Sequence, residues 1–253
     1  MSSAKAALVT GASRGMGRSI AVALAERGHD VGINFSRSRD EAEETAELVR
    51  ACGREPLLLQ ADVSDEAAVR AMVESHSRTF GRLDLLVNNA GTTIETAPED
   101  LEGLRLEDWD RVFAVNVRGL FQVTRAAVPW LRRSPAANVV NMASIVGLRP
   151  TAQPFPYAAS KAAVINLTQT LARSLAPQVR VNAVAPGWVL GEWMEHALGE
   201  NYQRLMERRA SHTPMGRVVT PEDVAEAVVS LVETNRLVTG EVLVVDGGYS
   251  AST

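Results

Sequence analysis

Short apolar runs alternate with longer amphipathic stretches along most of this chain of 253 residues. The runs are apolar without strict alternation, which is typical of strands that are covered on both faces. They predict seven strands, at residues 6–10, 30–34, 56–60, 83–88, 138–142, 180–184 and 241–245. Between them, apolar residues recur at intervals of three and four, as in helices that pack on one side. The pattern therefore predicts a doubly wound α/β sandwich, in which helices cover both faces of a parallel sheet.

The alternation continues without a linker, a repeat or a low-complexity stretch, so we expect a single domain over residues 1–253. Ser38 with Glu41 has the spacing of a capping box, and Thr220 marks a second helix start. The clearest departure is the segment 188–215, where aromatic and apolar residues are mixed over a length that exceeds a simple crossover loop. We interpret this segment as a helical lid over a substrate site.

Composition limits the binding partners and the cellular location that we expect for this chain. The chain carries 26 basic and 30 acidic residues, for a net charge of −4, and no long basic run. Nucleic acid and membrane are therefore not expected as partners. Cys52 is the single cysteine, and the first residues carry no apolar run of signal-peptide length, so we expect a cytoplasmic protein. The four histidines have no ligand partner at metal-site spacing, and no metal is expected.

The turn after the first predicted strand carries three glycines. It reads Thr10-Gly11-Ala12-Ser13-Arg14-Gly15-Met16-Gly17. Glycine permits positive φ and a close backbone approach, and the N–H groups at the start of the next helix attract phosphate. A merely tight turn is the alternative, but such a turn needs only one glycine. The spacing G-x3-G-x-G differs from the common dinucleotide fingerprint, yet its place in a β-α-β unit predicts a pyrophosphate site of the Rossmann type.

The end of the second predicted strand indicates which nicotinamide dinucleotide would fit. An acidic residue there binds the adenosine ribose hydroxyls, whereas a cation accepts a 2′-phosphate. This chain has Ser36 and Arg37 and no Asp or Glu at that edge, and Arg14 in the glycine turn could reach the same phosphate. We therefore expect NADP(H) rather than NAD(H). The alternative is that both arginines are solvated surface residues.

Ser144, Tyr157 and Lys161 form the candidate catalytic group. Tyr157 and Lys161 are four residues apart in a helix-like run, so they share one helix face. The pKa of a tyrosine is ordinarily about 10, and a neighbouring ammonium would lower it and make proton transfer feasible. Ser144 follows the fifth predicted strand, at the edge where α/β sheets bind ligands. A Tyr-x-x-x-Lys pair alone often occurs on helices by chance, so its meaning depends on the other motifs.

Taken together, these residues resemble the short-chain dehydrogenase/reductase family, and the resemblance covers nearly the whole chain. Its motifs are, in chain order, the glycine turn, Asp62-Val63, Asn88-Asn89-Ala90-Gly91, Asn116, Ser144, Tyr157, Lys161, Pro186-Gly187 and Val245-Asp246-Gly247-Gly248. Within the family, the chain looks most like the bacterial 3-oxoacyl-acyl-carrier-protein reductases.

The resemblance implies a role for each motif. Tyr157 would be the general acid in reduction and the base in oxidation, and Lys161 would hold the nicotinamide ribose. Ser144 would orient the carbonyl group, and Asn116 would anchor a proton-relay water. The cofactor would be NADP(H), held by Gly11, Ser13, Arg14, Gly15, Met16, Gly17, Ser36, Arg37, Asp62, Val63, Asn89, Ala90, Gly91, Tyr157, Lys161, Pro186, Gly187 and Val189.

Two further features of the sequence concern a cofactor contact and the substrate site. Gly191 stands where relatives often carry a threonine that contacts the cofactor, which puts that contact in doubt. Phe155 lies among Pro150, Pro154 and Pro156 on the approach to the catalytic tyrosine, and we expect a stiff wall there. The apolar lid favours a moderately apolar ketone or a 3-oxoacyl thioester over a sugar. The predicted substrate-binding residues are Ser144, Phe155, Tyr157, Trp188 and Trp193.

Protein partners are expected from the resemblance as well. An acyl carrier protein is acidic and would need a basic patch, for which Arg132, Arg133 and Arg173 are candidates, although these arginines could equally be solvated helix residues. Family precedent implies a homotetramer in which the helices around 108–131 and 157–176 pair across one interface and the C-terminal strand pairs across another.

Other functions stay open at this point. The chain could be an NADP-dependent alcohol, steroid or sugar dehydrogenase of the same family. A non-catalytic NADP-binding regulator is disfavoured because Ser144, Tyr157 and Lys161 are all present. A lyase of the halohydrin dehalogenase type, which replaces the cofactor pocket with a halide site, is disfavoured by the glycine turn and by Arg37.

Overall fold

The computed structural model describes residues 4–94, 96, 100–149, 154–234 and 236–251. Its strands are β1 (Lys5–Val9), β2 (His29–Phe35), β3 (Pro56–Gln60), β4 (Leu85–Asn88), β5 (Ala137–Met142), β6 (Val179–Pro186) and β7 (Val242–Val245). All neighbours pair in parallel, in the order β3-β2-β1-β4-β5-β6-β7. The predicted seven-stranded parallel sheet is confirmed, and every predicted strand overlaps an observed one.

Helices connect successive strands. In the described part of the chain they are α1 (Gly15–Glu26), α2 (Arg39–Ala51), α3 (Glu66–Phe80), α4 (Leu106–Phe113), α5 (Leu120–Leu131), α6 (Phe155–Leu175), α7 (Glu192–Leu198), α8 (Tyr202–His212) and α9 (Pro221–Glu233). None of these described helices is long and apolar enough to cross a membrane. The described residues also contain no group of three or more His, Cys, Asp or Glu side chains that could hold a metal ion.

The two faces of the sheet bury alternate residues of each strand. Val9 and Val87 point to the face that α1, α2 and α9 cover, and both are fully buried. Leu8 and Leu86 point to the opposite face, under α3, α5 and α6, and they are fully buried too. Burial of each such side chain stabilises the fold by about 1.5 to 3 kcal/mol. This two-sided burial explains why the strands show as unbroken apolar runs in the sequence.

Both predicted helix starts are confirmed, since α2 begins directly after Ser38 and α9 directly after Thr220, but their capping hydrogen bonds differ. At α9 the Thr220 hydroxyl accepts a hydrogen bond from the Asp223 N–H, and the Asp223 carboxylate accepts one from the Thr220 N–H, which completes a capping box. Ser38 is the N-cap residue of α2, but its side chain makes no capping hydrogen bond. The capping box predicted there is wrong, because the Glu41 carboxylate pairs with Arg14 instead.

The segment 188–215 contains α7 and α8, in agreement with its predicted helical character. Met206 of α8 is buried. The guanidinium of Arg209, also on α8, lies 4.4 Å from the ring centroid of Trp188 and donates a hydrogen bond of 2.7 Å to the Tyr249 hydroxyl. These contacts fasten α8 to the end of β6 and to the C-terminal residues. That the segment acts as a lid stays a prediction.

Candidate active site

A cavity of about 460 Å³ opens at the carboxyl edge of the sheet. It lies where the strand order changes direction between β1 and β4, which is where α/β sheets bind ligands. Most of the predicted site residues line it, namely Gly11, Ser13, Arg14, Gly15, Met16, Gly17, Ser36, Arg37, Asn89, Ala90, Gly91, Ser144, Tyr157, Lys161, Pro186, Gly187, Val189 and Trp193. The other predicted residues, Asp62, Val63, Asn116, Phe155 and Trp188, are not part of this lining.

Two glycines of the turn, Gly11 and Gly17, are packed so closely that a side chain would not fit. Gly11 has φ +61°, and a Cβ there would lie 2.9 Å from the Ala90 Cα. A Cβ on Gly17 would overlap the carbonyl oxygen of Gly11. The amide of Asn89 donates to the carbonyls of Thr10 and Gly11, each at 2.9 Å, and holds the turn against the end of β4. The glycines of the turn thus leave the first backbone N–H groups of α1 uncovered by side chains, and this arrangement fits the pyrophosphate of a dinucleotide.

The adenosine end of the cavity is rich in charge. Ser36 and Arg37 follow β2 and are exposed. Arg37 thus stands where an NAD-binding site would carry an acidic residue. Arg14 lines the same cavity as Arg37, and their convergence on one phosphate stays a prediction. Its Nη1 lies 3.1 Å from Oε2 of Glu192 and 3.4 Å from Oε1 of Glu41, so two carboxylates hold it.

Ser144, Tyr157 and Lys161 meet on one side of the cavity. Ser144 follows β5 after one intervening residue, Ala143, and is buried. Tyr157 lies in the first turn of α6, and Lys161 lies one turn later. The Lys161 Nζ donates to the Met142 carbonyl at 2.7 Å and lies 5.5 Å from the centroid of the Tyr157 ring. A Cβ built on Gly91 would lie 3.8 Å from the same Nζ. The amine therefore reaches the cavity between the ends of β4 and β5.

Burial sets the protonation of this pair. It raises the pKa of Tyr157 to about 12, and hydrogen bonding to Ser144 acts in the opposite direction. Burial lowers the pKa of Lys161 to about 8. The cost of burying the phenolate outweighs the lowering of the phenol pKa that was predicted from Lys161, whose ammonium donates to the Met142 carbonyl. The phenol consequently keeps its proton at neutral pH.

Asn116 lies behind the cavity rather than in its lining. It belongs to a π-helical turn, Ala114–Gly119, that joins α4 to α5. Its Oδ1 accepts from the Thr92 N–H at 2.8 Å, and its Nδ2 donates to the Thr92 carbonyl and to the Ser160 hydroxyl. Such turns often mark functional sites. Asn116 therefore joins the loop after β4 to the catalytic helix α6.

The end of β6 forms the wall opposite the glycine turn. Gly187 is packed so that a Cβ would lie 2.7 Å from the Asp246 Cβ, and its N–H donates to the Val245 carbonyl. Val189 pairs with Val219 through an isolated bridge. Pro186, Gly187 and Val189 thus present backbone to the cavity from a fixed position.

The two residues predicted to contact adenine follow β3. Asp62 is exposed, and its Oδ1 accepts hydrogen bonds from the Ser64 N–H and hydroxyl. Val63 is buried, and its carbonyl accepts a hydrogen bond from Gln122 of α5. Their role toward a nucleotide stays a prediction.

The predicted substrate residues are spread over three environments. Trp193 lines the cavity with 49% of its surface exposed. Phe155 is 45% exposed at the start of α6, whereas Pro150, which precedes it, lies outside the described residues. The guanidinium of Arg209 lies over the ring of Trp188, and Trp188 is not part of the cavity lining. Of the three, Trp193 lines the cavity, and the contact of each with a substrate stays a prediction.

A buried polar ladder beneath the site was not foreseen. Asn88 donates to Asn141 and to Thr124, each at 2.9 Å, and Asn141 donates to Thr168 at 2.9 Å. All four residues are buried and link β4, β5, α5 and α6. Their sequence signal is an asparagine inside an otherwise apolar strand. Because buried amides need partners, the ladder fixes α6, and with it the catalytic residues, against the sheet.

Comparison with known proteins agrees with this fold. A family model described as enoyl-(acyl carrier protein) reductase matches residues 11–250. A protein of Streptomyces violaceoruber named as ketoacyl reductase 2 of the granaticin polyketide synthase is 42% identical over 245 residues, which cover 97% of this chain and 96% of that protein. The 3-oxoacyl-acyl-carrier-protein reductase FabG of Staphylococcus aureus (strain Mu50) is 38% identical over 98% of this chain and 99% of its own length. The crystal structure of levodione reductase has a TM-score of 0.91 and 32% identity, with 98% of both chains covered.

The chain belongs to the short-chain dehydrogenase/reductase family, whose members bind a nicotinamide cofactor. It is an oxidoreductase that acts on a carbonyl or CH–OH group. Within the family it is similar to the 3-oxoacyl-acyl-carrier-protein and ketoacyl reductases.

Proposed function

We propose that this protein uses NADPH to reduce a moderately apolar ketone or a 3-oxoacyl thioester to the secondary alcohol. The observation that carries the proposal is the common cavity, in which Ser144, Tyr157 and Lys161 lie beside a glycine turn fitted to a pyrophosphate. The names of the relatives, ketoacyl and 3-oxoacyl-acyl-carrier-protein reductase, support the same substrate class.

The chemistry of the chain's own residues follows from their protonation. A bound nicotinamide supplies the hydride for such a reduction. The phenol of Tyr157 holds its proton at neutral pH and donates it to the substrate oxygen as negative charge develops there. Ser144 donates a second hydrogen bond to that oxygen and orients the carbonyl group. Lys161, placed between Met142 and the Tyr157 ring, binds ribose hydroxyls and stabilises the phenolate once the proton has left.

Asn116 supports this arrangement from behind. It fixes Ser160 and Thr92 by hydrogen bonds, and Ser160 directly precedes Lys161 on α6. A water held near Asn116 would return a proton to Tyr157 after each turnover, as the family resemblance implies.

The preference for NADPH rests on the end of β2. Arg37 is exposed at the position where NAD-specific sites carry an acidic residue, and Ser36 precedes it in the cavity lining. Asp62 and Val63 would contact the adenine ring beyond them. Arg14 is the second cation at this end of the cavity.

Trp193 and the apolar side of the cavity favour an apolar ligand, and Phe155 stands beside the approach to Tyr157. If the substrate is carried by an acyl carrier protein, Arg132, Arg133 and Arg173 are the docking residues we propose for that acidic partner. Arg133 stacks on Trp130 at 4.6 Å, which holds its guanidinium at the surface.

We also propose a cytoplasmic homotetramer. Phe121 of α5 is 40% exposed beside a groove between α4, α5 and α6, and Val244 of the edge strand β7 is 39% exposed. Both surfaces coincide with the helix and strand interfaces expected from the family. Sedimentation of the purified protein tests the tetramer.

Activity is tested by supplying purified protein with NADPH or NADH and a panel of acyl thioesters, steroids, quinones, simple aryl ketones and sugars. We expect loss of NADPH absorbance with the thioesters or apolar ketones, and slower reaction with NADH. Faster reaction with sugars or with NADH would contradict the proposal. Tight NADPH binding without turnover of any carbonyl compound would favour a regulator.

A further inference from the structure

An ion pair crosses the cofactor cavity between the glycine turn and the lid segment. Arg14 is the N-cap residue of α1, and Glu192 is the first residue of α7. Their Nη1 and Oε2 atoms are 3.1 Å apart, and both residues line the cavity. Because the same Nη1 also lies 3.4 Å from Oε1 of Glu41 in α2, the helix that follows Arg37, the pair lies at the end of the cavity where the adenosine part of a dinucleotide would lie.

The two carboxylates beside Arg14, those of Glu41 and Glu192, differ in burial. Glu41 belongs to α2, and its Oε1 lies 3.4 Å from the same Nη1. Its Oε2 is buried and has no hydrogen-bond partner among the described residues. Glu192 is instead 67% exposed on its side chain and is free to move away from Arg14 when another anion arrives.

We infer that Glu192 is a specificity-determining residue, which competes with the 2′-phosphate of the nucleotide for Arg14. The inference rests on the NADP(H) preference proposed above. A phosphate monoester carries about 1.5 to 2 negative charges at neutral pH, so it attracts the guanidinium more strongly than a carboxylate does and repels Glu192. A nucleotide without this phosphate leaves the pair intact. Glu192 therefore lowers the affinity for NADPH and leaves the affinity for NADH unchanged, and only the phosphorylated nucleotide separates α7 from the glycine turn.

The test is calorimetric titration of the intact protein and its Glu192→Gln variant with NADPH and with NADH. The substitution keeps the size of the side chain and removes its charge. We expect the dissociation constant of NADPH to fall about twofold to fivefold, the effect of one exposed ion pair, and that of NADH to stay constant. The gain should shrink as salt concentration rises, because both partners are exposed. Glu195→Gln is the matched control, since Glu195 is exposed on the same helix and outside the cavity lining; it should change neither constant.

A double-mutant cycle with Arg14→Ala tests whether Glu192 acts through Arg14. In the Arg14→Ala background, Glu192→Gln should no longer improve NADPH binding. Suppose that the wild-type protein prefers NADPH. The inference is then wrong, and the proposed function stands, if Glu192→Gln leaves the NADPH affinity unchanged or raises the NADH affinity equally. The same conclusion follows if Glu192→Gln raises the NADPH affinity as strongly in the Arg14→Ala background. If the wild-type protein binds NADH as tightly as NADPH, the cofactor preference is wrong and the inference is overturned with it.

Discussion

Acid should destabilise this protein through one buried histidine. His76 of α3 is fully buried, with its ring edge-on to Phe80 at 5.0 Å and its Nε2 3.1 Å from the Ala7 carbonyl oxygen. Its Nδ1 has no hydrogen-bond partner among the described residues. Protonation would place a charge and an unpaired N–H in the core, and burial accordingly lowers the pKa of His76 from 6.5 to about 4.

The stability change follows from linkage. Between pH 6.5 and about 4 the unfolded chain binds a proton at this position and the folded chain does not. The stabilising contribution is therefore complete above pH 6.5 and is lost as the pH falls through this window. The loss amounts to about 2 kcal/mol at pH 5 and about 3 kcal/mol at pH 4.

Urea unfolding at pH 7.5 and pH 5 measures this contribution in the wild type and in His76→Gln. Glutamine keeps a donor for the Ala7 carbonyl but does not titrate. The variant should be less stable at both pH values through altered packing, yet its stability should fall by about 2 kcal/mol less between them. His29, whose pKa burial also lowers, contributes equally to both proteins. Parallel pH dependence of the two proteins, with equal urea slopes, would refute the reasoning.

Three further predictions concern the site. Tyr157→Phe should reduce turnover by on the order of 100-fold to 10,000-fold while NADPH still binds, because only the proton donor is lost; steady-state kinetics with a nucleotide titration check this, and wild-type turnover would overturn the mechanism. Arg37→Ala should weaken NADPH binding by roughly 1.5 to 3 kcal/mol and leave NADH nearly unaffected, since only NADPH carries the phosphate; an equal loss for both nucleotides in binding titrations would contradict the assignment. Phe155→Ala should alter the ranking of kcat/KM over a ketone panel more than it alters cofactor affinity, and unchanged ratios would remove Phe155 from the substrate wall.

The sheet could be predicted because its strands are buried on both faces. Full burial of Val9 and Leu8 forces apolar residues at successive positions, and the glycine turn that follows has a sequence signal of its own. The predicted ends of the strands were less accurate. The sixth strand runs from Val179 to Pro186, beyond its predicted limits of 180–184, because pairing with β7 continues to the last residue.

The electrostatics of the site could not be read from the sequence. The partners of Arg14 come from α2 and α7, and no local pattern specifies that meeting. The pKa of Tyr157 depends on how completely the surrounding chain excludes water, which one turn of helix does not reveal. The contact of Trp188 with Arg209 could not be predicted either, because the path of α8 is decided by its tertiary contacts.

The stack of Trp188, Arg209 and Tyr249 joins three distant parts of the chain through one cation. If the segment 188–215 acts as the predicted lid, a change at Tyr249 would shift α8 and with it the lid, although Tyr249 does not line the cavity. In that case, laboratory evolution toward new substrates should recover useful substitutions near Tyr249, which a search limited to cavity-lining positions would not sample.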